Sequence, residues 1–430
     1  MIMQRTAFAC FCFMLEVVSV GCGDEGLPLV ADPREDAGPP LVEVLDTYER
    51  SLSQIDAVSN ADPAMYVVGV SKEGEIEGVR FQSQLVDDRD QYFNEAFLSS
   101  GRAKAPALFG ARPSVTCGRE GPIVAWAGPS PNGVYSDDSG EPMRVGVVWQ
   151  LFQGVRTLAQ YNGASLSRIY GPQGLEVPEY APVTMFRFVE PEPQDVFGEP
   201  RLVMGVADWM LRWAGQAPIV GPGEQFERTP NRTIEYYVAS NGGNGERIEA
   251  WNETDLPEAG GPMFPRYPFL VLRIDGGERI QLLPPDSNGP QQAAYMYPKL
   301  VSTDDDVVIG VSRLNREQDG MQAQVALLST LRFHEVVEDA GAEQSRVLGL
   351  RVWEDDVYVL VSEFVRQDEV SGRDRIGLYR MRRPDSFERI VTISEDAIDA
   401  AFVRESPHAF LIVVSDVEGT HALRINLPAL

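Results

Sequence analysis

The sequence predicts an all-β protein, and three observations carry that prediction. From Leu41 onward the 430-residue chain is a succession of short apolar runs rich in Val, Ile, Leu, Phe and Tyr, separated by Asp, Gly, Pro, Asn and Ser. Apolar residues recurring at the 3.6-residue period of a helix are scarce, whereas short runs bounded by turn formers are what strands require. A similar strand also recurs in the C-terminal third at a spacing of about 50 residues, so the sheet is expected in repeated units. A few helical turns are left open, as at Gln91 to Ser99 and Asp208 to Ala214.

Taken in chain order, residues 1–21 carry one cation, Arg5, then an apolar run from Ala7 to Leu15, then Ser19-Val20-Gly21 before Cys22. That run is too short to span a bilayer, which takes about 20 apolar residues, and it suits a removable export signal. Gly21-Cys22 followed by a polar stretch resembles the lipobox of bacterial lipoproteins, while Ser19 and Glu16 depart from that pattern. The resemblance implies a lipid on Cys22 and a place in the cell envelope. In a Gram-negative host, Gly23 in the next position implies the outer membrane. Residues 22–40 hold Pro28, Pro33, Pro39 and Pro40 with three glycines and no apolar periodicity. They read as a flexible tether with a mean span of ~25 Å.

Residues 41–430 form the expected folded domain. VVIGVSR (Val307 to Arg313), VYVLVSE (Val357 to Glu363) and AFLIVVSD (Ala409 to Asp416) each end on a serine before a charge, and YVVGVSK (Tyr66 to Lys72) does the same. After two of them come a polar loop and two further strands, as in IGLYRM and FERIVTI. A continuous apolar run fits a strand buried on both faces between neighbouring sheets. PIVAWAG (Pro122 to Gly128), LVMGVAD (Leu202 to Asp208) and IEYYVAS (Ile234 to Ser240) extend this set. Phe269 to Leu283 reads as a hairpin turning on Asp275-Gly276-Gly277. Four-stranded units at this spacing resemble the blades of a β-propeller of about seven blades, with six to eight open.

Ile55-Asp56-Ala57 and Ile398-Asp399-Ala400 each stand shortly before a serine-ended run, so both are expected in first strands of blades. The last blade then has only three strands of its own. The segment Leu41 to Asp46 is expected to supply the fourth and to close the ring.

Composition narrows the partners. With 64 acidic and 37 basic residues the formal charge is −27, which argues against nucleic acid or an anionic lipid surface as the ligand of the folded part. Only Lys72, Lys104 and Lys299 are lysines, and this arginine excess reads as genomic codon bias. If Cys10 and Cys12 leave with the signal and Cys22 carries lipid, Cys117 is alone and behaves as a small hydrophobe.

Constellations that state a chemistry are few. His334, His408 and His421 are too far apart in sequence to form a ligand pair on one element. No HExxH, GxSxG or phosphate-binding glycine loop occurs. The acidic turns holding Asp304, Asp305 and Asp306, and Asp355 and Asp356, could offer oxygen ligands to Ca²⁺; as plain solvated turns they need no cofactor. Trp209, Trp213, Tyr236, Tyr237, Tyr295 and Tyr297 could face a sugar or pack in the core. Asn231 and Asn252 begin glycosylation sequons. The expectation is a membrane-tethered binding module for a protein, peptide or glycan. The alternative is an extracytoplasmic hydrolase or lyase with its site at the propeller centre.

Overall fold

The computed structural model describes residues 41–59, 64–86, 89–98, 112–118, 121–129, 144–150, 154–157, 183–189, 201–206, 209–213, 224–229, 232–255, 268–285, 292–315, 320–337, 342–366, 372–406 and 409–427. The segments 1–21 and 22–40, Cys22 included, lie outside the described residues, as do His408 and Asn231. Among the described residues no helix is long and apolar enough to cross a membrane.

The described strands assemble into seven four-stranded antiparallel sheets. Strand β1 (Val42–Tyr48) is followed by sheet 1, made of β2 (Leu52–Ser59), β3 (Ala64–Ser71), β4 (Ile76–Val86) and β5 (Arg89–Leu98). Sheet 2 holds β6 (Ser114–Gly118), β7 (Gly121–Pro129), β8 (Arg144–Gln150) and β9 (Gly154–Thr157). Sheet 3 holds β10 (Val183–Val189), β11 (Arg201–Val206), β12 (Trp209–Trp213) and β13 (Glu224–Arg228). Sheet 4 holds β14 (Arg232–Asn241), β15 (Arg247–Asp255), β16 (Phe269–Ile274) and β17 (Ile280–Leu282). Sheet 5 holds β18 (Ala293–Ser302), β19 (Val307–Asn315), β20 (Gly320–Leu327) and β21 (His334–Glu335). Sheet 6 holds β22 (Ala342–Trp353), β23 (Asp356–Arg366), β24 (Gly372–Arg383) and β25 (Ser386–Ser394). In sheet 7, β26 (Ala397–Ser406), β27 (Ala409–Asp416) and β28 (Thr420–Asn426) are joined by β1, which pairs antiparallel with β28 from Val42 opposite Ile425 to Tyr48 opposite Thr420.

Burial explains the second strands. Every residue of β3 is buried, and β19, β23 and β27 each bury at least six consecutive residues. Apolar side chains on both faces of such a strand pack into different clusters. Leu411 and Val413 join Leu52, Met65 and Phe81, while Phe410 and Ile412 join Tyr358 and Leu378. Two of the recurring serines have a shared use. The Leu52 N–H donates to Ser415 Oγ at 2.8 Å, and the Val347 N–H to Ser312 Oγ at 3.2 Å, so these two tie their second strands to the first strand of the next sheet, whereas Ser71 accepts from the Glu75 N–H at 3.3 Å within its own turn.

Three sequence expectations are corrected. IEYYVAS lies in β14, the first strand of sheet 4, and the second strand is β15, RIEAWNETD. That strand escaped notice because it buries Glu249, Asn252 and Glu253, which break the apolar run. Their polar atoms are satisfied: Glu253 accepts from Trp251 Nε1 at 2.8 Å, and Glu249 from Arg273 Nε at 2.6 Å. Gln91 to Ser99 and Asp208 to Ala214, read as helical turns, fall on β5 and β12, where pairing with β4 and β11 overrides their weak local preference. The hairpin reading holds. β16 pairs with β17, and Asp275 and Gly276 take φ of 48° and 68°, the left-handed pair a two-residue turn needs.

Strand β1 sets Val42 against the sheet 6 and 7 core, and Leu45 and Tyr48 against the sheet 7 and 1 core. Deleting Leu41 to Asp46 removes about 4 kcal/mol of apolar burial and ladder bonds. With about 2.1 cal/mol/K of unfolding entropy per residue, the melting temperature should fall by about 5 °C in a calorimetric scan. An unchanged melting temperature would show that β28 does not need this partner.

Candidate functional site

First strands pack on one another in series: β2 on β6, β6 on β10, β10 on β14, β14 on β18, β18 on β22, β22 on β26 and β26 on β2. Side-chain acceptors stitch neighbours together. Asp399 Oδ2 accepts from the Ile55 N–H at 3.0 Å, Asp56 Oδ2 from the Val115 N–H at 2.9 Å, and Ser114 Oγ from the Phe188 N–H at 3.1 Å. Between sheets 4 and 5 the same task falls to Asn252, which donates to the Tyr295 carbonyl at 2.8 Å and accepts from the Tyr297 N–H at 3.0 Å. Asn252 is fully buried by these bonds, so its sequon is not available for a glycan.

A cavity of about 290 Å³ lies where the first strands meet, and each of the seven sheets lines it from its first strand or, in sheet 2, from Arg112 just before it. Asp56 of β2, Arg112, Arg187 of β10, Lys299 of β18 and Arg351 of β22 face it. A narrower recess of about 30 Å³ continues past the same Asp56, Arg112, Arg187 and Lys299 to Glu235 and Tyr236 of β14. Bulges aim these side chains. The pairing of first with second strand slips between Ser53 and Asp56, Ile234 and Tyr236, Met296 and Lys299, and Ala397 and Asp399. Each slip ends on a residue of the pocket or its rim, the role bulges commonly play beside sites. In β18 the bulge includes Tyr297, at φ 55°.

The electrostatics are those of crowded cations. Burial, with Arg112 and Arg187 nearby, pushes the Lys299 amine down to about 7, against the pull of Asp56 and Asp399. Burial likewise lowers Arg187, only partly offset by Asp56. Arg112 is also opposed by burial, but Asp399, Tyr236, Tyr297 and Asp56 hold it above the ordinary guanidinium value. Arg112 Nη2 stands 3.9 Å from Asp399 Oδ2. The buried Nε of Arg187 has no hydrogen-bond partner among the described residues. With Arg112, Arg187, Lys299 and Arg351 against Asp56 on its lining, the cavity is complementary to an anion. Tyr236 and Tyr297 stand edge to face with ring centres 4.6 Å apart, and their side chains hydrogen-bond.

Of the residues singled out from sequence, those brought together among the described residues are Tyr236, Tyr297 and the two Ile-Asp-Ala aspartates. Tyr237 instead packs beside Trp251 and donates to Glu249, and Tyr295 stacks on Phe333 at 4.3 Å. The side chains of Trp209 and Trp213 lie outside the described set. Asp304, Asp305 and Asp306 sit between β18 and β19 of sheet 5, while in sheet 6 Asp355 lies on the turn and Asp356 opens β23. Asp306 accepts from the Val307 N–H at 2.7 Å and pairs with Ser329, while Asp356 pairs with Arg380. No group of three or more His, Cys, Asp or Glu able to hold a metal ion occurs among the described residues. His421 bridges Thr47 and Asp416, at 2.9 Å to each. Burial raises the Cys117 thiol to about 11, which keeps it a poor nucleophile at neutral pH.

Arg112, Arg187 and Lys299 were not anticipated. Two signals were present: Arg187 interrupts the apolar strand VTMFRFV, and Lys299 is one of three lysines in an arginine-rich chain.

No protein-family model matches the chain, and no curated protein matches it. Solved structures do. A PL25 ulvan lyase aligns with TM-score 0.53 at 11% identity, covering 87% of this chain and 93% of that one. The same enzyme bound to GlcA(1-4)Rha3S aligns with TM-score 0.52 at 11% identity, over 88% and 93% of the two chains. The BP39L lectin of Burkholderia pseudomallei aligns at 0.48 and 10% identity, over 89% and 98%. The chain therefore has an all-β, propeller-like fold.

Proposed function

We propose that the seven sheets are the blades of one ring, closed by β1, and that the chain binds an acidic carbohydrate in the pocket at the axis. One observation carries the reading. A chain of charge −27 gathers Arg112, Arg187, Lys299 and Arg351 around one cavity. Guanidinium groups suit planar carboxylate or sulfate groups through paired hydrogen bonds. The cavity is of a size to hold a sugar residue, and Tyr236 lines the recess that adjoins it. The likeness of fold to an ulvan lyase bound to an acidic saccharide is a reason to try uronate-containing and sulfated saccharides first.

Calorimetric titration tests this. Acidic saccharides should bind and their uncharged counterparts should not; equal binding of both classes refutes the proposal. Affinity should also fall as pH rises through about 7, because Lys299 then loses the proton that the bound anion favours. Asp56, Glu235, Arg112, Arg187 and Arg351 line the same space around the anion. A decrease of up to ~10-fold is expected between about pH 6 and 8.

A second reading, a lyase, is favoured by Lys299 itself. An amine near 7 can act as a base at neutral pH. In an elimination it would take the proton beside a uronate carboxylate that Arg112 and Arg187 neutralise. A carbon–carbon double bond would form as the adjacent glycosidic C–O bond breaks, and a tyrosine hydroxyl would protonate the leaving oxygen. Ultraviolet absorbance of the unsaturated product is the assay; a flat trace with polyuronates leaves binding alone.

The lipid on Cys22, the tether of residues 22–40 and the envelope location belong to the same proposal. Fatty-acid labelling should mark the chain, and Cys22→Ala should lose the label.

A further inference from the structure

We propose that a second pocket, between sheets 5 and 6, is the neighbouring subsite for the same ligand and takes an uncharged sugar residue of it. The inference rests on the acidic-carbohydrate reading of the axial pocket, but different residues carry it. A cavity of about 330 Å³ is lined by Met321 of β20, Gln344 and Arg346 of β22, Ser362 and Phe364 of β23, and Asp374 of β24.

Its chemistry matches a sugar ring. Arg346 donates only, an ionised Asp374 accepts only, and Gln344 and Ser362 do both, as a run of hydroxyls requires. Phe364 and Met321 offer apolar surface to the C–H face. The ring of Phe364 lies over Gly372, where a Cβ would collide with it, so the glycine is needed to seat it. The wall is fixed as well, because Ser345 Oγ accepts from the Ala323 N–H at 2.9 Å across the two sheets.

Charge separates this pocket from the axial one. Arg346 faces two carboxylates: its Nη2 is 3.9 Å from Asp399 Oδ1, and its charge also acts on Asp374. Burial holds Asp374 above the ordinary carboxylate range, and a hydrogen bond with Ser362 opposes that shift. No surplus positive charge remains for an anion, so an uncharged residue fits. Asp399 also gives the link between the pockets, with one oxygen toward Arg346 and the other toward Arg112, each at 3.9 Å. Asp399, itself buried, thus stands between one guanidinium of each pocket.

The test is calorimetric titration of a uronic acid monosaccharide, and of disaccharides joining it to a neutral hexose at either end, into the wild type, Phe364→Ala and Asp374→Asn. One disaccharide should bind the wild type about 10-fold tighter than the monosaccharide. Both variants should lose that gain and keep the monosaccharide affinity. The subsite is refuted if the gain survives in both variants, if the wild type shows no gain, or if monosaccharide affinity falls in parallel. Should the wild type bind no uronate at all, the axial reading fails first, and that outcome is visible before any substitution. Thermal melts of both variants identify loss of folding, and Asp374→Asn, nearly isosteric, keeps the test decisive if Phe364→Ala unfolds.

Discussion

A chain carrying Arg187→Gln and Lys299→Met should bind acidic saccharides at least ~100-fold more weakly than the wild type. Each hydrogen bond to a charged group is worth about 1.5–3 kcal/mol, and every 1.4 kcal/mol is a factor of ten. The two losses together therefore reach ~3–6 kcal/mol at the ligand. Stability should move the other way or not at all, which separates a ligand role from a structural one. In the folded chain Lys299 titrates at about 7 and in an unfolded one near 10.5, so the native state binds fewer protons between those values. Wild-type stability consequently rises with pH across that window, and the penalty of the buried charge is fully present below 7. The variant lacks that slope. If its denaturant midpoint drops by as much as its affinity, the cations hold the fold and the binding proposal fails.

Glu363→Ala should be the most damaging change among the charged residues of sheet 6, costing about 3–5 kcal/mol. Glu363 is fully buried in β23 and accepts from Arg375 Nε at 2.8 Å, Arg389 Nη2 at 2.7 Å and the Tyr379 hydroxyl at 2.6 Å. Removing it strands two guanidinium groups, one of them only 15% exposed, and a phenol inside the sheet. Gly377 is part of the arrangement, because a Cβ there would stand 2.7 Å from Glu363 Oε1. With about 2.1 cal/mol/K of unfolding entropy per residue, the melting temperature should fall by ~5 °C. Glu363→Gln keeps two acceptor lone pairs and should lose about half as much. A melting temperature within a degree of wild type for the alanine variant would mean that the arginines reach water instead.

Much of the fold was legible because its signal is local. Doubly buried strands such as VVIGVSR and AFLIVVSD stay apolar on both faces, and the Asp275-Gly276 turn announces its own backbone. Strand β15 was not legible, since Glu249, Asn252 and Glu253 look like surface residues until Arg273, Trp251 and Tyr297 supply their partners. The pocket left still less trace. Each sheet contributes about one side chain, from positions fifty or more residues apart, so no linear motif spans Arg112, Arg187 and Lys299. The bulges also shift the two-residue alternation just where these side chains turn inward. The paired Ile-Asp-Ala segments were visible as a repeat, but their role, bonding Asp56 and Asp399 to the backbone of the next strand, needs the neighbour in place.

The pairing of β1 with β28 has a consequence for how the chain reaches its native state. Contacts such as Thr47 with His421 join residues 374 apart, and Glu43 with Arg424 joins residues 381 apart. Sheets 1 to 6 are each contiguous in sequence and can form as the chain emerges, whereas the seventh waits for the last strand to be synthesised. Until then β1 is an unpaired edge with its hydrogen-bonding groups open to any other strand. Final docking of this strand should therefore be the slow step of refolding, and the interval before it the period of greatest vulnerability to strand exchange between chains.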